Sequence, residues 1–146
     1  MTPASTSVEI PTINLPSFDF YHASVGLLLK GKEVFITQRQ ATQSMPGFWE
    51  FPGGKVEQSE TSLMALKREL DEEVGVKVIE TKQIMSLCNP NHRWLAVWLV
   101  CEFEGIPFGK ENQNNQWINI NDIETVKLLP ANKYISMYLK TQLQTD

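Results

Sequence analysis

The chain has 146 residues, 42% of them hydrophobic, which is the size of one globular domain with enough apolar material to bury a core without disulfides or a structural metal. Its formal net charge of -4 offers no broad basic surface to neutralise a run of phosphates, which argues against a nucleic acid polymer as partner. No apolar run approaches the ~20 residues of a membrane span, and the start lacks a charged segment followed by an apolar one, so no membrane association and a cytoplasmic location are expected.

Residues 1–18, rich in Pro, Ser and Thr and without sustained periodicity, read as a flexible N-terminal arm, and residues 19–146 as a single domain. From His22 the run Ala-Ser-Val-Gly-Leu-Leu-Leu reads as a buried strand, and Lys30-Gly31-Lys32 as the turn into a second strand, Val34 to Gln38. After Pro46-Gly47, Phe48 to Phe51 is a short aromatic strand that stops at the turn Pro52-Gly53-Gly54. Thr61 is placed to cap a helix from Ser62 to Val74, which Gly75 ends. Strands follow over Val76 to Leu87, Arg93 to Phe103 and Gln116 to Ile120. From Ala131 to Leu143, Ile135, Leu139 and Leu143 recur at helical spacing. Strands and helices in this order make an α/β sandwich. Cys88 and Cys101 stand among apolar residues without the spacing of a zinc site and read as reduced packing residues.

The helix over residues 62–74 carries the chemistry. At ~100° per residue, Glu69, Glu72 and Glu73 fall within an arc about 100° wide, separate from the arc of Leu63, Leu66, Leu70 and Val74 that faces the core. Three like charges held that close repel unless a cation sits among them, and Mg²⁺, a hard ion that bridges carboxylates to substrate phosphates, suits such a site. An acidic helix face is often no more than solvated surface. Here, however, the cluster follows a Gly-Gly turn and a cap, includes Arg68 and ends at a glycine.

The stretch Gly54 to Val76 resembles the Nudix box, G-x5-E-x7-R-E-U-x-E-E-x-G-U with U apolar, and agrees with it at each of its specified positions. The resemblance implies the Nudix fold, a mixed β-sheet sandwiched between helices, and water attack on a diphosphate linkage with Mg²⁺, or Mn²⁺ in its place, as cofactor. It makes Glu72 and Glu73 the principal metal ligands and gives Glu69 to metal binding or to activation of the attacking water. Glu60 and Arg68 would brace the motif, with Gly54 supporting its turn, and the Gly53 carbonyl would add a ligand.

Over residues 21–143 the chain is similar to the MutT-type 8-oxo-dGTP diphosphatases of that family. The similarity lies in Phe35-Ile-Thr-Gln-Arg39, Trp49 to Glu57, Phe108 to Gln113 and Leu129-Pro-Ala-Asn132. It implies Glu111 as a further metal ligand, Arg39 as a phosphate contact and Asn132 as the base reader. Lys55 is a second candidate phosphate contact; both cations can also be read as surface charges. An Asn side chain offers an acceptor and a donor, which suits the edge of 8-oxoguanine, although Asn132 can also be read as a helix N-cap. Phe48, Phe51, Trp94 and Trp98 could stack a base or serve the core. The loop Gln40 to Gly47 with Phe48-Trp49 resembles instead the cytidine-triphosphate-cleaving relatives, which keeps CTP and 5-methyl-dCTP as alternatives. A non-catalytic Nudix-like recognition domain is the reading from another class, and the intact acidic trio argues against it. His22 and His92 have no partner pattern, and a monomer is expected.

Overall fold

The computed structural model describes residues 10–14 and 22–144. Eight strands form one sheet in the order β1-β6-β7-β2-β3-β4, with β5 paired to β2 and β8 to β3. The strands are β1 (Thr12–Asn14), β2 (Ala23–Lys30), β3 (Glu33–Gln38), β4 (Trp49–Glu50), β5 (Gly53–Lys55), β6 (Lys77–Cys88), β7 (Trp94–Glu104) and β8 (Asn115–Asn119). The sheet is mixed, since β2 runs parallel to β7 and β1 parallel to β6 while the remaining strand pairs are antiparallel.

Strand β2 is the axis of the domain, buried almost throughout because a helix covers each face. On one face Leu28 packs with Leu66, Leu70 and Val74 of α1 (Ser62–Val74), and Gly26 leaves the space into which Leu66 and Leu70 press. On the other face Val25 and Leu27 join Ile135 and Leu139 of α2 (Pro130–Gln144). The expected sandwich is therefore present, and α1 has the expected ends. Thr61 accepts a hydrogen bond from the Met64 amide at 3.1 Å, and Gly75 adopts the left-handed φ of 71° and donates to Asp71 at 3.2 Å.

Four details differ from the sequence reading. Thr12–Asn14 lies in the stretch expected to be a loose arm, yet it pairs as β1 along β6, which otherwise would be an open sheet edge; residues 1–9 and 15–18 lie outside the described residues. The Gly53-Gly54 turn is itself strand β5, zipped onto Ala23–Val25. A 3₁₀ helix over Ile120–Thr125 buries Ile120 and Ile123, a segment too short to show periodicity. Cys88 is buried as expected but Cys101 is exposed, because β7 loses its cover beyond Val100, where its pairing with β2 ends at Leu28. No helix among the described residues is long and apolar enough to cross a membrane.

Candidate active site

The helix that carries the acidic residues also sorts them by depth. Taking Glu69 as zero on the wheel, Glu73 lies ~40° toward the apolar arc and Glu72 ~60° away from it. Exposure follows that order. The Glu69 side chain is 19% exposed at the edge of the cleft, whereas Glu72 is 56% exposed and faces outward. Glu73, nearest the core, is withdrawn from water at the cleft floor, where its carboxylate accepts from the Gly53 amide at 3.2 Å and from the Thr37 hydroxyl at 3.4 Å.

Arg68 braces the motif as expected. Its guanidinium donates to both oxygens of Glu60 at 2.7 and 2.9 Å, to Glu69 at 3.3 Å, to Glu72 at 3.2 Å and to the Lys55 carbonyl at 3.0 Å. The Arg68 hydrogen bond, helped by the Glu57 amide, holds Glu60 at a pKa of about 2. Gly54 has a steric reason to be glycine, since a Cβ there would overlap the Glu69 carboxylate. At Gly53, with φ of 155°, a Cβ would meet the Ser24 carbonyl.

The cleft has a volume of about 380 Å³ and gathers Glu69, Glu73, Glu111, Glu50, Arg39 and Lys55 beside Gly53 and Gly54. Its acidic charge is only partly compensated, with Arg39 on Glu50 and Arg68 on Glu69. Burial first, then the Glu50 charge, and then those of Glu69 and Glu111, push Glu73 up to about 8 against the pull of the Gly53 amide. Burial also raises Glu69 against the pull of Arg68, with the charges of Glu72 and Glu111 adding to the rise. Carboxylates whose charged form is this disfavoured answer to a hard divalent cation, which supplies the positive charge the protein withholds. Among the described residues no three acidic, His or Cys side chains stand close enough together to hold a metal ion on their own. An open rim of carboxylates still fits Mg²⁺, which keeps several waters and takes one or two carboxylates together with substrate phosphates.

The other expected residues are distributed as follows. Arg39 lines the cleft with Nη1 on Glu50 at 3.2 Å, while Nε and Nη2 reach the carbonyl and hydroxyl of Ser44 at 2.6 and 2.8 Å. Asn132 is not the N-cap of α2, because Pro130 already opens the helix and places Asn132 in its first turn. Its side chain is 5% exposed, and its Oδ1 accepts from the Phe51 amide at 2.9 Å. Phe51, expected to bind substrate, is 1% exposed and packs in the larger core cluster, so its ring is core here. Of the remaining aromatics, Trp98 donates to Ser24 at 3.3 Å, Lys127 covers the Phe48 ring at 4.4 Å, and Trp94 is exposed. Sequence reasoning missed Glu50, Thr37 and Gln113, all of which line the cleft. Glu50 alone left a signal, a carboxylate between Trp49 and Phe51 in an aromatic strand; burial raises its pKa against the charge of Arg39.

The Nudix domain profile matches residues 20–139. The chain belongs to the Nudix family. Among its relatives, the 8-oxo-dGTP diphosphatase of Escherichia coli K12 is 38% identical over 125 residues, spanning 80% of this chain and 94% of that protein. The CTP pyrophosphohydrolase of the same organism is 32% identical over 102 residues, spanning 68% and 76%. A solved MutT structure, from work on the Aliivibrio salmonicida and Vibrio cholerae proteins, superposes with a TM-score of 0.74 at 34% identity, covering 83% of this chain and 97% of that one. The chain is thus a Nudix hydrolase of the nucleotide pyrophosphohydrolase type, a group that works with a divalent metal.

The raised pKa of Glu73 has a consequence for the metal-free Nudix domain. A carboxyl whose folded pKa of about 8 exceeds its ordinary 4.5 favours folding fully below pH 4.5, and that contribution is lost as pH rises through 8. Glu73→Gln removes the titrating group, so in excess chelator its melting temperature, relative to the parent protein, is expected to climb across that interval. Thermal unfolding followed by circular dichroism checks this; a difference independent of pH contradicts it.

Proposed function

We propose that this Nudix hydrolase is a Mg²⁺-dependent pyrophosphohydrolase that converts 8-oxo-dGTP to 8-oxo-dGMP and pyrophosphate, acting as a monomer in nucleotide-pool sanitation. The observation that carries the reading is the cleft lined by Glu69, Glu73, Glu111 and Gly53, on a chain similar over most of its length to an 8-oxo-dGTP diphosphatase.

In this reading Glu69, Glu73, Glu111 and the Gly53 carbonyl would hold the metal at the cleft, and Glu72, outside its lining, would join them from the outer side of the helix. When bound, the ion would supply positive charge to the phosphate oxygens and raise the acidity of the attacking water. The chain's own residues do the rest. Thr37 and the Gly53 amide fix the carboxylate of Glu73, and Glu69, beside Gly54, is positioned to take the proton of the attacking water. Arg39 and Lys55, on the cleft wall, contact the phosphates. The Phe51 amide holds the orientation of the Asn132 side chain and uses one of the two lone pairs on Oδ1. The second lone pair and the Nδ2 donors then meet the paired donor and acceptor on the edge of an oxidised guanine.

A second substrate reading has its own support. The loop Gln40 to Gly47, pinned by Arg39 to Ser44, has the sequence character of the cytidine-cleaving relatives, and a CTP pyrophosphohydrolase is among the similar proteins. CTP and 5-methyl-dCTP are its candidate substrates. A recognition domain without activity is disfavoured, because it gains nothing from retaining the repulsion around Glu73.

With Mg²⁺ and 8-oxo-dGTP the expected products are the monophosphate and pyrophosphate, separated by ion-exchange chromatography, and Glu69→Gln should lower kcat by about 10²–10⁴-fold. Orthophosphate as product would refute the assigned bond. Asn132→Ala should raise KM for 8-oxo-dGTP far more than for dCTP; an equal rise for both would remove its role in reading the base.

A further inference from the structure

We propose that Gln113 is a positioning residue that sets where Glu111 stands relative to the Nudix helix, through a hydrogen-bonded amide that joins the Glu111 backbone to the backbone of Glu73. The inference rests on Glu111 as a metal ligand.

Gln113 is 8% exposed, and both ends of its amide are engaged. Its Nε2 donates to the Glu73 carbonyl at 3.0 Å, and its Oε1 accepts from the Glu111 amide at 2.8 Å. One side chain therefore spans from the last turn of α1, at the residue whose carboxylate forms the cleft floor, to the loop residue whose carboxylate faces it.

The rest of this loop docks in the same place. The Phe108 amide donates to Val74 at 3.1 Å, the Lys110 amide to Glu73 at 3.1 Å and the Lys110 ammonium to Asp71 at 3.1 Å. The Glu73 and Val74 carbonyls belong to the end of a helix, which has no further turn to satisfy them, whereas that of Asp71 also accepts from the Gly75 amide. The backbone bonds fasten the loop before Glu111, whereas the link through Gln113 fastens Glu111 itself. Glu111 lines the same cleft as Glu69 and Glu73. A loop that carries one ligand while the box helix carries the others needs a fixed offset between them, because hydrogen-bonded groups behind a ligand hold it in place for the ion.

Removing the bridge should act through Glu111. Gln113→Met keeps the length and volume of the side chain and loses both hydrogen bonds, while the Phe108 and Lys110 bonds still hold the loop. Calorimetric titration with Mg²⁺ in the absence of nucleotide, and steady-state kinetics with 8-oxo-dGTP over a range of Mg²⁺ concentrations, on the parent, Gln113→Met, Glu111→Gln and the double variant, form a double-mutant cycle in which Gln113→Met should weaken Mg²⁺ binding only where Glu111 is present. We expect Gln113→Met to lower kcat and raise the Mg²⁺ needed for half-maximal rate by about 10–100-fold, the scale on which residues behind metal ligands act. In the Glu111→Gln background the same substitution should change kcat by less than about twofold. Equal effects of Gln113→Met in both backgrounds, or no effect beside an impaired Glu111→Gln, overturn the positioning role and leave Glu111 as a ligand. A fully active Glu111→Gln overturns the ligand reading and this inference with it. Gln113→Glu offers a second test should the methionine variant not fold. It keeps an acceptor for the Glu111 amide and, ionised, has no donor for Glu73, so an intermediate rate supports the bridge and an undiminished one contradicts it.

Discussion

Burial of carboxylates beside one another, desolvation first and mutual repulsion second, is the constraint on which the rest of this site depends. Glu73 sits at the floor of a cleft that also holds Glu50, Glu69 and Glu111, and its pKa of about 8 records how little the protein alone stabilises the charge. A fold organised for stability alone would put apolar residues there or pair each acid with a base. Arg68 shows that the chain has the means to do so, since it binds both oxygens of Glu60 and reaches the neighbouring Glu69 and, a turn further on, Glu72. Around Arg68 acidic charge is balanced; around Glu73 it is not.

The scaffold concentrates its rigidity where this imbalance is held. β2 is covered by a helix on each face and carries β5 along its start, so the two glycines of β5 come from the best-packed part of the sheet. Gly54 lets the Glu69 carboxylate lie directly over the backbone, and the Gly53 amide meets Glu73. The acidic edge of α1 thus lies against β5, where a side chain at position 54 would displace the Glu69 carboxylate. The loop 105–114 closes the other side by bonding to the carbonyls at the end of the same helix.

Much of this was legible in the sequence because it is local. Thr61, Gly75 and the apolar arc of Leu66, Leu70 and Val74 define α1 within one or two turns, and the spacing of Glu69, Glu72 and Glu73 places them on one face. Depth within that face was legible only in outline, since the wheel angle turns Glu72 outward but the cover over Glu73 comes from Thr37 and Gly53, residues distant in the chain. Tertiary pairing was not legible. Gln113 and Glu73 are 40 residues apart, and no periodicity relates them. The short strands β1 and β5 were likewise hidden, because each gains its order from a partner strand and neither carries an alternating pattern of its own. Asn132 reads as a cap from composition, yet Pro130 opens the helix earlier and frees Asn132 to hold the Phe51 amide.

The central claim is that this unbalanced acidic cleft binds a divalent ion by giving up protons from carboxylates whose pKa values are raised. Isothermal titration of the full chain with Mg²⁺ at pH 7, repeated in buffers of different ionisation enthalpy, counts those protons directly. The account predicts saturable binding with proton release, and release sharply reduced in Glu73→Gln. Absence of binding, or binding with no proton exchanged, would contradict it.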